Sequence, residues 1–232
     1  MIHLKCDIHT ENDFMFKIAC EKGHIDIVKY LISISEKYTG KKIDIHNDKD
    51  IAFYVACKYK HLIVIKYLIE IAEEYSGEKI DIFSTCCYNL TCNEITCITG
   101  SVEIMKYFIM ISKTYYNKQF DIHLKNDILF SLACYHGHID MAKYLIEITI
   151  PYSGQKINIH CSETDILWSC YTNKYFCILK YLTKICVKYS GKMLSLTDNH
   201  INMYMNNNSN FDKYDKYFYS CGFYNDTNYL RL

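Results

Sequence analysis

One segment recurs five times along this 232-residue chain. It reads Lys29-Tyr30-Leu31-Ile32, Lys66-Tyr67-Leu68-Ile69, Lys106-Tyr107-Phe108-Ile109, Lys143-Tyr144-Leu145-Ile146 and Lys180-Tyr181-Leu182-Thr183, at spacings of 37, 40, 37 and 37 residues. Nine residues after each lysine stands a tyrosine: Tyr38, Tyr75, Tyr115, Tyr152 and Tyr189. Ten residues before it lies Ala19, Ala56, Thr96, Ala133 or, in the fifth copy, Cys170. A unit of this length cannot bury its own apolar face. A constant period therefore implies stacked units that share one continuous core.

Within a copy the local structure is readable. Met15, Phe16, Ile18 and Ala19 fall on one face at helical spacing and predict a short first helix. Asp13, Asp50 and Asp127 stand just ahead of it, where a carboxylate can cap free backbone N–H groups. Gly23 ends that helix in a left-handed conformation. Ile25, Val28, Leu31 and Ile32 form the buried stripe of a second helix, which Tyr38-Thr39-Gly40 closes. Ile43-Asp44-Ile45-His46 alternates like a short extended connector. The third copy is irregular. It is three residues longer, lacks the aspartate and carries Asn93 and Glu94 where the second has Phe53 and Tyr54, which predicts a distortion or loop bulge ahead of it. The fifth has Lys174 in place of the turn glycine.

The run from Ala19 through Gly23-His24-Ile25-Asp26 to Leu31, and the run Ala133-Cys134-Tyr135-His136-Gly137-His138-Ile139-Asp140, resemble the heart of an ankyrin repeat. The wording is most similar to ankyrin-repeat proteins of giant DNA viruses of amoebae (mimivirus-like), and the resemblance covers roughly residues 10–196. It implies an all-α, ankyrin-like helix–turn–helix repeat solenoid with elongated second helices and short extended connectors. The elongation follows from a 37-residue unit where the family has ~33, an excess of about one helical turn. The family's Thr-Pro-Leu-His start is absent, with Phe14-Met15-Phe16-Lys17 in its place. On this reading 1–9 is a partial leading connector, because Cys6-Asp7-Ile8-His9 copies Ile43–His46. Five repeats occupy 10–46, 47–83, 84–123, 124–160 and 161–196. Residues 197–232, with Asn210 and Lys216-Tyr217-Phe218 near register, form a degenerate sixth repeat capping the stack or an Asn/Tyr-rich tail.

Composition narrows the function classes. Half the residues are hydrophobic, enough for a substantial core, and 26 basic side chains balance 26 acidic ones. That neutrality argues against a nucleic-acid partner, whose phosphates need a basic surface. Thirteen cysteines, an odd number, with no apolar leader after Met1, read as free thiols in a reducing compartment. Apolar runs such as Leu62–Ile65 and Leu145–Ile150 are too short to cross a membrane, so the expected location is intracellular, in the host cytoplasm. Most histidines and cysteines recur at equivalent positions: His24, His61 and His138; His9, His46, His123 and His160; Cys20, Cys57, Cys97 and Cys134. Equivalent positions lie about 10 Å apart in packed helices, too far to share a zinc ion. Cys86, Cys87, Cys92 and Cys97 are the exception and could converge on a metal. They lack paired C-x-x-C knuckles, and they read better as small apolar residues in a poorly fitting repeat. No nucleophile elbow, phosphate loop or HExxH motif is present. No catalytic, cofactor-binding or metal residue is therefore assigned, and no cofactor is expected.

What remains is a protein partner. The resemblance places its binding surface on the concave side, at connector tips and first-helix ends. Transferred position by position, that surface comprises Glu11, Lys22, Asn47, Asp48, Tyr54, Tyr59, Lys125, Tyr135, His136 and Glu163. Tyr54, Tyr59 and Tyr135 are expected as exposed rings, which give large contact area for little rotamer entropy. The shared tyrosines Tyr30, Tyr67, Tyr107, Tyr144 and Tyr181 are expected to pack between repeats. A monomer is the favoured state, and a self-associating structural or virion-assembly component is the alternative.

Overall fold

The computed structural model describes residues 8–85, 89–192 and 194. The expected leading segment before Ile8, Cys86 and Cys87, and the stretch 197–232 lie outside them. The chain divides into two compact units, one ending at Phe120 and the other beginning at Asp121.

Unit one contains α1 (Thr10–Glu21), α2 (Ile25–Thr39), α3 (Asn47–Lys58), α4 (Leu62–Ser76), α5 (Cys92–Thr99) and α6 (Val102–Thr114). First helices stack on first helices, α1 on α3 and α3 on α5, while α4 packs against α2. Unit two contains α7 (Leu124–Tyr135), α8 (Ile139–Ser153), α9 (Glu163–Thr172) and α10 (Phe176–Ser190), with α9 against α7 and α10 against α8. Among the described residues there is no strand, only an isolated bridge between Thr85 and Thr91.

The repeat positions account for the core. Ala19, Ala56, Thr96, Ala133 and Cys170 are buried where first helices approach one another, and Cys20, Cys57, Cys97 and Cys134 lie beside them. Leu31, Leu68, Phe108, Leu145 and Leu182 form the buried stripe of the second helices. Four of those helices are 15 residues long and end at a left-handed glycine: Gly40, Gly77, Gly154 or Gly191. The Tyr-x-Gly sequence is thus the stop that the pattern predicts. In the connectors, Ile43 and Ile45, and Ile157 and Ile159, are buried while Asp44 and Asn158 face out, so the alternation survives without a ladder.

One expectation needs correction. The aspartates do not cap their helices. Glu11, Asn12 and Asp13 occupy three successive left-handed positions, as do Asp48–Asp50 and Lys125–Asp127. Each such residue costs roughly 1–2 kcal/mol unless its side chain compensates, and Asn and Asp tolerate the region best. The aspartate side chain is then aimed at the next repeat instead of at its own helix. In repeat three the sequence pattern predicts distortion ahead of the helix, and residues 86–88 of that stretch lie outside the described residues. The helix itself begins with a capping box: Glu94 N–H donates to Thr91 Oγ1 at 3.1 Å and Thr91 N–H donates to Glu94 Oε2 at 2.8 Å. The Thr-x-x-Glu spacing that specifies it is plain in the sequence.

Candidate functional site

The surface available for binding is set by a framework of recurrent struts. Nδ1 of His9, His46 and His123 hydrogen-bonds the aspartate four residues on, at 2.5, 2.6 and 2.6 Å. Nε2 of the same rings, and of His160, reaches a hydroxyl at the end of the second helix: Thr39 at 2.8 Å, Ser76 at 2.9 Å, Ser153 at 2.9 Å and Ser190 at 2.8 Å. The second carboxylate oxygen of Asp13 accepts the backbone N–H of Asp44, and that of Asp127 accepts the N–H of Asn158. One aspartate therefore ties its own turn to the following connector. At Asp50, burial pushes the carboxyl above its usual range, while the hydrogen bond and charge of His46 oppose the shift.

Hydroxyl, imidazole and carboxylate stand here in the order of a nucleophilic relay, but the hydroxyls are turned away from that use. Each donates to the carbonyl four residues back in its own helix: Thr39 to Ser35, Ser76 to Ala72, Ser153 to Thr149 and Ser190 to Cys186. A hydrogen already given to a helix carbonyl is not presented to the histidine for transfer. The arrangement works as a strut.

Three further devices join neighbouring repeats. The hydroxyl of Tyr75 accepts the N–H of Ile43, and that of Tyr189 accepts the N–H of Ile157, both at 3.0 Å. The ammonium groups of Lys42 and Lys156 donate to the carbonyls of those same tyrosines and lie over their rings. Lys29 lies over Tyr67, Lys66 over Tyr107 and Lys143 over Tyr181, at 5.3, 5.4 and 5.8 Å from the ring centres. Tyr67, Tyr107 and Tyr181 thus pack between repeats, as their position beside the buried leucine predicts, whereas Tyr30 in the first repeat is exposed. Finally, a ring covers the turn glycine of the preceding repeat: His61 on Gly23, and Tyr175 on Gly137. Where Lys60 replaces that glycine, the following repeat carries the small Ser101 in place of a ring.

Outside this framework the equivalent positions diverge. In unit one, Glu11 and Asp48 are exposed in the left-handed turns that open α1 and α3, and Lys22 and Tyr59 are exposed where those helices end. Asn47 is half-buried and donates through Nδ2 to the Asn12 carbonyl at 2.8 Å. The Tyr59 ring is 47% exposed, with the Lys58 ammonium 5.6 Å from its centre. Unit two presents Lys125 in the turn that opens α7, and Tyr135 and His136 at its end, with the two rings edge to face at 5.2 Å; Glu163 begins α9. Burial, with His138 nearby, lowers the His136 imidazole below its usual range. Tyr54 does not belong with these residues. It is only 4% exposed, because it lies on the side of α3 that enters the core. The turns also expose Asn12, Lys49 and Asn126, which the sequence did not single out. Their signal is the Asn-Asp or Lys-Asp pair ahead of the first helix.

Residues 1–83 match the family described as ankyrin repeats (3 copies). Those residues carry ankyrin repeats. No curated protein and no solved structure matches it. The ankyrin match spans α1 to α4, and unit two reuses the same His–Asp, Tyr–connector and Lys–Tyr struts. Ankyrin repeats are generally protein–protein interaction modules and are typically non-catalytic. Among the described residues no group of histidines, cysteines and carboxylates is placed to hold a metal ion, and no helix is long and apolar enough to cross a membrane. Cys92 and Cys97 are buried free thiols.

Proposed function

We propose that this ankyrin-repeat chain is a viral interaction protein that binds a host or viral protein through its concave face. The contact surface is formed by the left-handed connector turns and the ends of the first helices. The observation that carries the reading is the contrast between a constant framework and these variable positions. The struts repeat with the same chemistry, whereas Lys22 and Tyr59, or Glu11, Asp48 and Lys125, differ while staying exposed. Exposed tyrosines held on short rigid helices are efficient anchors. The viral source rests on the likeness of the Gly-His…Ile-Val-Lys-Tyr-Leu-Ile wording alone. The test is affinity purification from infected cells, run in parallel with Tyr59→Ala and Tyr135→Ala combined. Loss of a specific partner in the double variant supports the surface; retention of every captured partner rejects it.

A second reading, self-association as a structural or assembly component, is favoured by a different observation. Met15, Ile27, Tyr30 and Tyr38 in the first repeat are 53%, 46%, 62% and 71% exposed, although Ala52 and Val64, the counterparts of Met15 and Ile27, are buried. Light scattering of the pure chain over a hundredfold concentration range separates the two readings. A constant monomer mass rejects self-association.

A further inference from the structure

Repeat three departs from the framework at four points within one short stretch. Phe83 stands where the connector of the preceding repeat carries His46, so the His–Asp–hydroxyl strut has no counterpart there. The helix α5 opens directly on its capping box, whereas α3 includes the left-handed residues Asp48–Asp50 in its first turn, and α6 has 13 residues where α4 has 15. The C-cap of α6 is Tyr115 in a right-handed conformation, not a left-handed glycine. Inside α5, Asn93 is buried and its Oδ1 has no hydrogen-bond partner. A buried acceptor left unpaired forfeits its hydration without return, and opening to water restores it. The capping box at Thr91 and the edge-on packing of Tyr116 against Phe83 hold the repeat from its two ends. Neither relieves Asn93.

We infer that α5 opens locally, ahead of repeats one and two, and that the unpaired Asn93 Oδ1 sets how often it does so. Such an opening is a cooperative sub-global event. It brings the buried thiols of Cys92 and Cys97 into solvent while α1 to α4 stay folded. Repeat three is thereby a yielding element built into an otherwise tightly strutted unit.

The test is alkylation of the full chain under native conditions with excess N-ethylmaleimide, followed by peptide mapping. Cys97 is expected to react at least tenfold faster than Cys57 and Cys20, its counterparts in repeats two and one. In Asn93→Leu, the Cys97 rate is expected to fall at least tenfold while the Cys57 rate stays constant. Amide exchange on the unsubstituted chain supplies an independent reading: α5 amides exchange ahead of α3 amides. A common rate for Cys97, Cys57 and Cys20, equal protection of α5 and α3, or an unchanged Cys97 rate in a folded Asn93→Leu chain overturns the inference.

Discussion

The imidazole of His61 rests on Gly23, one repeat earlier, with its Nε2 2.8 Å from the carbonyl oxygen of Glu21. Two independent constraints meet at that glycine. Its φ of +73° is costly for any residue with a Cβ, and a Cβ there would overlap the His61 ring. At Gly40, where φ is +72° and nothing lies within 4 Å of the added carbon, only the first constraint applies. Gly40→Ala should therefore cost about 1 kcal/mol and Gly23→Ala about 2–4 kcal/mol. Urea unfolding of both variants measures the difference. Adding His61→Ser to Gly23→Ala should recover part of the loss, as the natural pairing of Lys60 with Ser101 suggests, and equal costs at the two glycines would contradict the account.

Asp127 shows why one carboxylate can hold a turn of otherwise unfavourable backbone. It is buried, bonded to His123 through one oxygen and to the Asn158 N–H, at 2.7 Å, through the other. Asp127→Ala leaves the Asn158 N–H without its acceptor and Lys125 and Asn126 in left-handed conformations without support. The expected loss is about 2–4 kcal/mol, because charge-assisted bonds and an orphaned donor both contribute. Chemical denaturation monitored by circular dichroism checks it. A loss near zero would show that the strut adds nothing to the packing of α7 against α9.

Much of this was legible in the residues, and what was not has a physical cause. Period, helix faces and stops follow from side chains that repeat, so Leu68, Ala56 and Gly77 stand where their spacing predicts. The aspartates were harder. Ahead of a helix an aspartate most often serves its own helix, and only the three-dimensional approach of the next connector reveals that Asp13 faces Asp44. Tyr54 misled for the opposite reason. Four consecutive core residues, Ile51 to Tyr54, lie on a helix packed on more than one side, so helical periodicity does not tell which tyrosine stays outside. The variable surface is readable only as variation, since nothing in a single sequence separates a selected contact from drift.

Tyr75 and Tyr189 make the same bond in separate units, which allows a controlled comparison. Each phenol oxygen accepts a connector N–H at 3.0 Å. Tyr75→Phe and Tyr189→Phe keep the ring under its lysine and remove the connector's acceptor; Tyr75→Phe also removes the 3.2 Å hydrogen bond with the Ser35 hydroxyl. Each should cost about 1–2 kcal/mol, the penalty for stranding a partly buried donor. The amides of Ile43 and Ile157 should lose protection from hydrogen exchange in their own variant alone. If both amides stay protected, the phenol is not their acceptor.

The buried thiols set a limit on alkaline stability. Burial pushes Cys20, Cys161 and Cys170 up to about 12 from an ordinary value of 9.0. A folded-state value above the unfolded one means the folded chain binds the proton more tightly. The associated stability is complete below pH 9 and is lost as the pH climbs from 9 towards 12. Unfolding midpoints in urea should therefore fall steadily over that interval. At pH 8 the same three thiols should resist iodoacetamide in peptides mapped after a brief native exposure, whereas Cys177, which is exposed on α10, is modified. Replacing Cys20 and Cys170 with alanine tests the linkage directly: the variant is less stable at pH 8 through lost packing, yet its stability declines less between pH 9 and 12. An unchanged slope would assign the alkaline loss to the remaining groups that burial raises, among them the thiols of Cys97 and Cys161 and the phenols of Tyr116 and Tyr181.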